Sequence, residues 1–263
     1  MGTARVNGID VNFTDTDTGG DGPAVLFSHG FLMDHTMFAP QVAALGGTYR
    51  CVAWDGRGFG GTHAPGPFTY WDSADDAVAL LDHLGIDRAV FVGMSQGGFL
   101  SLRAALAHPS RVAGVVLIDS AADVDDAATI EGYQGMLHVF TQGTDEQREG
   151  VFQVVAGLIL GTDELAAQWI PRWRTIAPDQ LGLAGGALLG RDDVTDRVAE
   201  IECPMLAIHG TADQAISIDR AEALVALARD HRGVLPIDEA AHAPNLSHPA
   251  RVNAALSAFL ATL

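Results

Sequence analysis

The strongest constraint on the fold is the stretch VFVGMSQGGFL at residues 90–100. Its apolar start predicts a buried strand, and its apolar end predicts a helix. Between them, Gly93 and Gly97 flank a serine, as a cramped strand-to-helix turn requires where two backbones come close. Gly-x-Ser-x-Gly alone is a weak pattern in a chain with 30 glycines. Its place between a strand and a helix predicts that Ser95 is held out of the sheet, where its hydroxyl could act as a nucleophile.

Around this turn, short β-like runs alternate with longer helical patterns, which predicts a parallel sheet covered by helices. RVNGIDVNF predicts an N-terminal hairpin that turns at Asn7-Gly8. Further strands are predicted in AVLFSHG, YRCVAWD, RAVFVGMS, VAGVVLIDSA, PMLAIHGTAD and RGVLPIDEAAH. Helices are predicted in DHTMFAPQVAAL, SADDAVALLDHLG, GGFLSLRAALAHP, SIDRAEALVALARDH and PARVNAALSAFLATL. Ser73 is the expected N-cap of the second of these helices.

The alternation breaks once, between about residues 123 and 200, where no strand-like run appears. We interpret this stretch as a helical insertion that lies over the sheet. The predicted organisation is therefore an α/β core of residues 1–122 and 201–263, with a helical lid of residues 123–200. The alternative is that the stretch holds two ordinary helices of the regular strand–helix alternation, but its length favours the insertion.

Composition limits the classes of partner. The net charge is −18, and all 15 basic residues are arginine. Such an acidic surface repels phosphate groups, which argues against nucleic acids and anionic membranes as partners.

The N-terminus lacks the apolar region of a secretory signal, and no apolar stretch is long enough to span a membrane. Cys51 and Cys203 have no metal or redox spacing, so we expect two reduced thiols in a cytoplasmic protein without a metal or cofactor. Its oligomeric state stays open between monomer and homodimer.

A serine hydroxyl needs a base to take its proton, and histidine is the usual one. His242 in DEAAHAPNLSHP is the best candidate of the ten histidines, because it follows the last predicted strand and precedes the last helix. His248 adjoins the proline that starts that helix and is expected to be a surface residue. His209, at the end of a strand, is expected to pack under the acid loop, and His29 to have a structural role.

An acid between Ser95 and His242 in the chain is needed to orient the histidine. Asp213 in HGTADQAIS is favoured, because it follows a strand and a glycine turn. Asp119 in VLIDSAA is the rival, since it also ends a strand. Either aspartate could instead cap a helix, which is a common role for this residue type.

An acyl-transfer site also needs N–H donors for the oxyanion that forms during the reaction. The backbone N–H of Gln96 is one candidate, because it follows the nucleophile at a helix N-terminus. The backbone N–H of Phe31, in the loop after an early strand, is the other.

With Ser95, Asp213 and His242 in this order, the segments SHGF, DGRGFGGT, GMSQGG and HGTAD resemble the landmarks of the α/β-hydrolase family over nearly the whole chain. The resemblance implies an eight-stranded, mostly parallel sheet with helices on both faces and a lid after the sixth strand. The core is most similar to carboxylesterases, cofactor-free perhydrolases and 3-oxoadipate enol-lactonases. Haloalkane dehalogenases and epoxide hydrolases share the fold but attack through a carboxylate, and the serine here argues against them.

The expected activity is hydrolysis of an ester or lactone of a small, mostly apolar acyl group through an acyl-enzyme on Ser95. Three alternatives stay open: perhydrolysis as a side activity, hydrolysis of a carbon–carbon bond, and ligand binding without catalysis. The intact set of nucleophile, base, acid and oxyanion loop argues against the last.

Specificity is expected to come from the lid. Apolar residues near Phe31 could line a substrate pocket, although lid-to-core packing is the alternative for most of them. The candidates are Leu32, Phe99, Met136, Leu137, Phe140, Phe152, Trp169 and Trp173. Arg172 or Arg174 could bind an anionic lactone, but each is more typical of a solvated charge on a helix.

Overall fold

One sheet organises the fold. The computed structural model describes residues 1–17 and 22–263. Eight strands lie in the order β1-β2-β4-β3-β5-β6-β7-β8, with β1 and β2 antiparallel to their neighbours and β3 to β8 mutually parallel. The strands are β1 (Gly2–Val6), β2 (Ile9–Asp15), β3 (Ala24–Ser28), β4 (Cys51–Trp54), β5 (Ala89–Met94), β6 (Val112–Ile118), β7 (Met205–Gly210) and β8 (His231–Ile237). The predicted eight-stranded, mostly parallel sheet is confirmed.

The predicted N-terminal hairpin is also confirmed. Asn7 and Gly8 have φ angles of 45° and 80°, and they join the paired residues Val6 and Ile9. A two-residue hairpin turn needs left-handed backbone at both central positions, which explains the Asn-Gly pair.

Helices cover both faces of the sheet. Along β5, Val90 and Val92 belong to one apolar cluster and Phe91 belongs to another, because successive side chains of a strand point to opposite faces. The helices are α1 (Ala39–Leu45), α2 (Tyr70–His83), α3 (Gln96–Ala107), α4 (Ala127–Gln142), α5 (Asp145–Ile159), α6 (Asp163–Trp173), α7 (Pro178–Leu189), α8 (Ile218–Leu227), α9 (Pro244–Ser247) and α10 (Pro249–Leu260). Helices α1 and α10 contribute to the first cluster, and α2, α3 and α8 to the second.

Two helix starts differ from the sequence-based expectation. Helix α2 begins at Tyr70, before Ser73, because Thr69 caps it and forms a reciprocal capping box with Asp72. That pair satisfies two free N–H groups at once, which a lone serine cannot do. The segment beginning at Asp34 starts as a 3₁₀ turn, His35–Phe38, and becomes α-helical only at Ala39.

Four helices, α4 to α7, lie between β6 and β7, and the described chain has no strand in that interval. Buried side chains of this insertion, including Phe140 and Phe152, join the apolar cluster that also holds Val90 of the sheet. The insertion therefore packs on the sheet face. That residues 123–200 act as a lid over a separate core stays a prediction.

Both cysteines are free thiols, and Cys51 is buried in β4. Burial raises the pKa of Cys51 to about 12 and that of Cys203 to about 11, so both stay protonated at neutral pH. Within the described residues, no helix combines the length and the apolar character needed to cross a membrane.

Candidate active site

Ser95 lies at a sharp turn between β5 and α3. Its backbone has φ 51° and ψ −115°, a conformation that residues with a side chain rarely adopt. Four hydrogen bonds hold it there: Ser95 N–H donates to Ile118 O at 2.9 Å, and Ser95 O accepts from Gly98 N–H at 2.8 Å, Phe99 N–H at 3.2 Å and Ser120 Oγ–H at 2.9 Å. Strained backbone of this kind persists only where the surroundings over-determine it.

The two glycines that flank Ser95 allow strand and helix to touch. A Cβ atom at Gly93 would overlap the carbonyl group of Gly97, and a Cβ at Gly97 would overlap the carbonyl oxygen of Ser28 in β3. Both obstacles are backbone atoms, which cannot move aside as the end of a side chain can. Close backbone approach therefore explains the glycine spacing seen in the sequence.

We expect Gly97→Ala to lower the free energy of unfolding by about 1–3 kcal/mol, because the added methyl group forces the turn away from β3. Urea unfolding at equilibrium measures this change. Gly150→Ala is the matched control, since Gly150 lies in α5 with nothing within 4 Å of its added Cβ. There the substitution should be neutral or stabilise by about 0.5–1 kcal/mol. Equal effects of the two substitutions would contradict the steric explanation.

His242 and Asp213 form a buried hydrogen-bonded pair. His242 lies between β8 and α9, and its Nδ1 is 2.7 Å from Asp213 Oδ2. Asp213 Oδ1 accepts the backbone N–H groups of Ala215 at 2.8 Å and Ile216 at 3.2 Å. These bonds fix the carboxylate within its own turn. Asp213 does not cap α8, whose N-cap residue is Ser217.

The charge state of Asp213 decides which nitrogen of His242 is free. Burial by itself would raise the pKa of Asp213, but the charge and hydrogen bond of His242 and the nearby ring N–H of His209 hold that pKa below its usual value. Asp213 is therefore ionised at neutral pH and accepts a hydrogen bond from Nδ1–H of His242. This arrangement leaves Nε2 of the neutral imidazole as an acceptor, the tautomer that a general base needs.

Ser95 and His242 line the same cavity, which has a volume of about 820 Å³ including its open mouth. Five of the predicted pocket residues also line it: Leu32, Phe99, Met136, Leu137 and Phe140. Most of the remaining wall is apolar and comes from the loops after β3 and β7 and from helices α5 and α7. These residues are Phe31, Val155, Leu158, Ile159, Gly185, Leu188, Leu189, Ala215 and Ile216.

Trp169 and Trp173, which were predicted to line the pocket, lie elsewhere. Trp173 is fully buried, and its ring centroid is 6.0 Å from that of Phe152, which is also absent from the cavity wall. Trp169 is buried in the same apolar cluster, with the Arg172 guanidinium 4.8 Å from its ring centroid. These large rings fill the space between the inserted helices and the core, so the prediction for both tryptophans is wrong.

The two arginines considered as carboxylate clamps do not line this cavity either. Arg172 approaches Asp34 at 3.5 Å, and Arg174 pairs with Glu149 at 2.8 Å. Both side chains are about half exposed, as expected for solvated charges on a helix.

Sequence reasoning missed the polar part of the cavity wall. Tyr133, Asp125 and Arg191 line it. Arg191 pairs with Asp125 at 2.8 Å, and Arg220 pairs with the other oxygen of Asp125 at 2.7 Å. No sequence pattern signals these contacts, because the partners lie 66 and 95 positions apart.

The two candidate oxyanion donors lie where the sequence places them. Phe31 is in the turn after β3, and Gln96 is the first residue of α3. Among the described residues, Phe31 N–H has no backbone acceptor, and Gln96 N–H lies in the first turn of α3, where a helix offers its own N–H groups no acceptor. Both donors are therefore free to bind an oxygen of a ligand. The loop is anchored by His29, whose Nδ1 lies 2.8 Å from Gly30 O and whose Nε2 accepts Gly56 N–H at 2.9 Å.

Asp119, the rival acid, also lies at the site. It follows β6 with a φ of 46°, and its Oδ1 accepts Gly210 N–H at 2.9 Å. Its side chain is within 4.8 Å of the ligating atoms of Asp213 and His242. Between the two aspartates, it is Asp213 that hydrogen-bonds the His242 ring. The tertiary structure thus brings both candidate acids to one place.

A second group of acidic and histidine side chains, Asp34, His35 and Asp55, also has closely spaced ligand atoms. Protein donors already occupy the oxygens of Asp55: His35 through both its N–H and Nδ1 at 2.7 Å, and Asn12 and Gly61 at 2.8 Å. These bonds hold the pKa of Asp55 well below its usual value, although burial alone would raise it. The group ties the loop after β4 to the turn that follows the oxyanion loop.

Comparisons with known proteins show which proteins this chain resembles. A family model described as alpha/beta hydrolase fold matches residues 23–249. The chain is 27% identical over 250 residues to 3-oxoadipate enol-lactonase 1 of Acinetobacter baylyi, covering 92% of this chain and 90% of that protein. It is 27% identical over 239 residues to the pimeloyl-[acyl-carrier protein] methyl ester esterase of Edwardsiella ictaluri, covering 88% and 90%. The solved structure of a thermophilic esterase from Thermogutta terrifontis superposes with a TM-score of 0.87 at 27% identity, covering 99% of this chain and 96% of that one.

Proposed function

This chain belongs to the alpha/beta hydrolase fold family, and from that premise we propose that it hydrolyses carboxylic esters or lactones with Ser95 as the nucleophile. One observation carries the proposal: Ser95, on its strained turn, and His242, paired with Asp213, line the same apolar cavity. The relatives described above include an enol-lactonase and esterases, which supports ester bonds as the class of bond cleaved.

In the proposed first step, Ser95 Oγ attacks the carbonyl carbon of the substrate while Nε2 of His242 takes the hydroxyl proton. The carbonyl oxygen becomes an oxyanion and accepts hydrogen bonds from the N–H groups of Phe31 and Gln96. When the tetrahedral intermediate collapses, the bond to the leaving oxygen breaks, and His242 gives its proton to that oxygen. An acyl group then remains on Ser95.

Water completes the cycle. His242 takes a proton from a water molecule while the oxygen of that water attacks the acyl carbon. The same backbone N–H groups donate hydrogen bonds to the second oxyanion. Collapse returns the proton to Ser95 and releases the carboxylic acid. Asp213 stays ionised throughout and stabilises the imidazolium that forms twice per turnover. Loss of one oxyanion donor typically costs about 10²–10³ in kcat.

The cavity supports a small, mostly apolar acyl group as the substrate class. Its wall is dominated by aliphatic and aromatic side chains, and the charged groups in it, Asp125 and Arg191, already pair with each other. Helices α4, α5 and α7 supply much of this wall, so the proposed lid of residues 123–200 would set the size of acyl group that fits.

The test is covalent labelling with a small alkyl fluorophosphonate, followed by intact mass and peptide mapping. Such a probe modifies a serine that a working base has activated. We expect one adduct, on Ser95, in the wild type and none in His242→Ala. A folded wild type that takes no adduct and does not hydrolyse p-nitrophenyl acetate would contradict the proposal and favour ligand binding without catalysis.

A further inference from the structure

We propose that Asp119 is a neutral carboxylic acid that donates a hydrogen bond to the carboxylate of Asp213, so that the two aspartates hold one proton and one negative charge behind His242. Asp119 would then be a positioning residue, which acts on the reaction through Asp213 and His242. The inference rests on the proposed function for its catalytic meaning, but the protonation state itself can be measured without any activity.

The first argument is the arrangement of charges. Asp119 and Asp213 both have side chains with no exposure to solvent, and the ligating atoms of both lie within 4.8 Å of each other and of the His242 ring. Two ionised carboxylates this close in a buried site repel strongly, and one of them normally keeps a proton. A neutralising cation would be the other way to hold both charges, and His242 is not that cation before the reaction, because the proposed general base is the neutral imidazole.

His209 does not supply that cation. Its Nε2 lies 2.8 Å from the carbonyl oxygen of Ile216, so Nε2 carries a hydrogen that is donated there. The same nitrogen lies 3.3 Å from Asp213 Oδ2 and 3.6 Å from Asp119 Oδ1. Its Nδ1 is buried without a hydrogen-bond partner in the described chain. A charged ring would leave Nδ1–H as a buried donor without an acceptor, so His209 is the neutral tautomer.

Donor counts decide which aspartate keeps the proton. Asp213 accepts from two backbone N–H groups and from His242, and His209 lies beside it, all of which favour the ionised form. Asp119 accepts from one backbone N–H, that of Gly210, through Oδ1. Its Oδ2 is buried and has no partner to donate to it. A proton on Asp119 removes the repulsion, and the resulting hydroxyl group has the neighbouring Asp213 carboxylate as its acceptor.

The pKa directions agree with this assignment. Burial and the charge of Asp213 raise the pKa of Asp119 well above its usual value, whereas the pKa of Asp213 is lowered. Other ionisable groups near the two aspartates do not change these pKa directions. Burial raises the pKa of Tyr133, which stays neutral, and Asp125 is neutralised by Arg191 and Arg220.

The consequence for catalysis is that the positive charge formed on His242 is balanced by a single negative charge. When His242 takes the serine proton, one positive imidazolium faces an aspartate pair with one negative charge. If Asp119 were ionised as well, a second negative charge would hold the proton on His242 more tightly and hinder its transfer to the leaving group. The proposal therefore assigns to Asp119 the task of limiting the basicity of His242 while orienting Asp213.

The direct test is infrared spectroscopy near pH 7 in D₂O, which detects the C=O stretching band of a protonated carboxyl group. We expect such a band in the wild type and its loss in Asp119→Asn. Asp76→Asn is the matched control. Asp76 is equally buried but is ionised and paired with Arg57, so it contributes no such band, and this variant should keep the band of the wild type. Absence of the band in the wild type, or its persistence in Asp119→Asn, would overturn the proposal. The same spectra recorded in the Ser95→Ala background give the answer even if the chain hydrolyses no ester.

The pH dependence of kcat/KM is the second readout. Asparagine resembles the protonated acid and can donate to Asp213, so Asp119→Asn should stay within about threefold of the wild type, with its acidic limb at the same pH. Asp119→Ala lacks the donor, and we expect kcat/KM to fall by about 10- to 100-fold. If Asp119 were ionised, Asp119→Asn would remove a charge beside His242 and shift the acidic limb downward by about one pH unit or more. That shift would contradict the proposal even if Asp119→Ala fails to fold.

Discussion

Ser95→Ala should lower kcat/KM for p-nitrophenyl acetate by about 10⁴-fold or more, because no other oxygen stands on the strained turn to attack the carbonyl. The methyl side chain fits the space of the hydroxymethyl group, and the four hydrogen bonds that hold this turn involve the backbone of residue 95. The fold should therefore survive. We expect residual turnover above the uncatalysed rate, from the oxyanion donors and substrate binding alone.

The measurement is steady-state hydrolysis, with circular dichroism and urea unfolding to show that the variant is folded. Ser257→Ala is the matched control, since Ser257 is exposed on α10, outside the cavity wall. It should keep the wild-type rate. A folded Ser95→Ala variant with activity near that of the wild type would exclude the acyl-enzyme mechanism.

The second large effect is expected for His242→Ala, which should also lose about 10⁴-fold in kcat/KM, since the serine loses its base and the leaving group its acid. The two effects should not add. Because Ser95 and His242 act in one proton transfer, a double variant should be little slower than either single variant.

His248→Ala is the matched control for this prediction. His248 lies six positions further along the chain, is half-buried, and has its Nδ1 2.9 Å from Ser247 Oγ at the start of α10. It does not line the cavity, so activity should stay within a few-fold of the wild type. A loss in His248→Ala as large as that in His242→Ala would mean that the base has been assigned to the wrong histidine.

Several features followed from the sequence because short-range sterics fix them. The strand, the serine and the helix of residues 90–100 are consecutive, and the two glycines are needed within that stretch itself. The Asn7-Gly8 hairpin is local in the same way. Local reasoning failed for the start of α2, where the reciprocal Thr69–Asp72 cap is stronger than the single cap expected at Ser73.

The alternation of strands and helices determined the sheet, since each strand must bury apolar side chains on both faces. Ser95, Asp213 and His242 each follow a predicted strand, which indicated that their loops meet at the carboxyl edge of that sheet. Those predictions depend on topology alone, and the structure places Asp213 and His242 in hydrogen-bond contact and Ser95 and His242 on one cavity.

Only the tertiary structure decided which aromatic residues face the cavity and which polar groups share it. Trp169 and Trp173 pack inward, Arg191 joins Asp125 in the wall, and Asp119 comes to lie beside Asp213. Each of these outcomes depends on how α4 to α7 and the strand ends pack across long separations in the chain. Periodicity tells which face of a helix is apolar, but packing determines what that face touches.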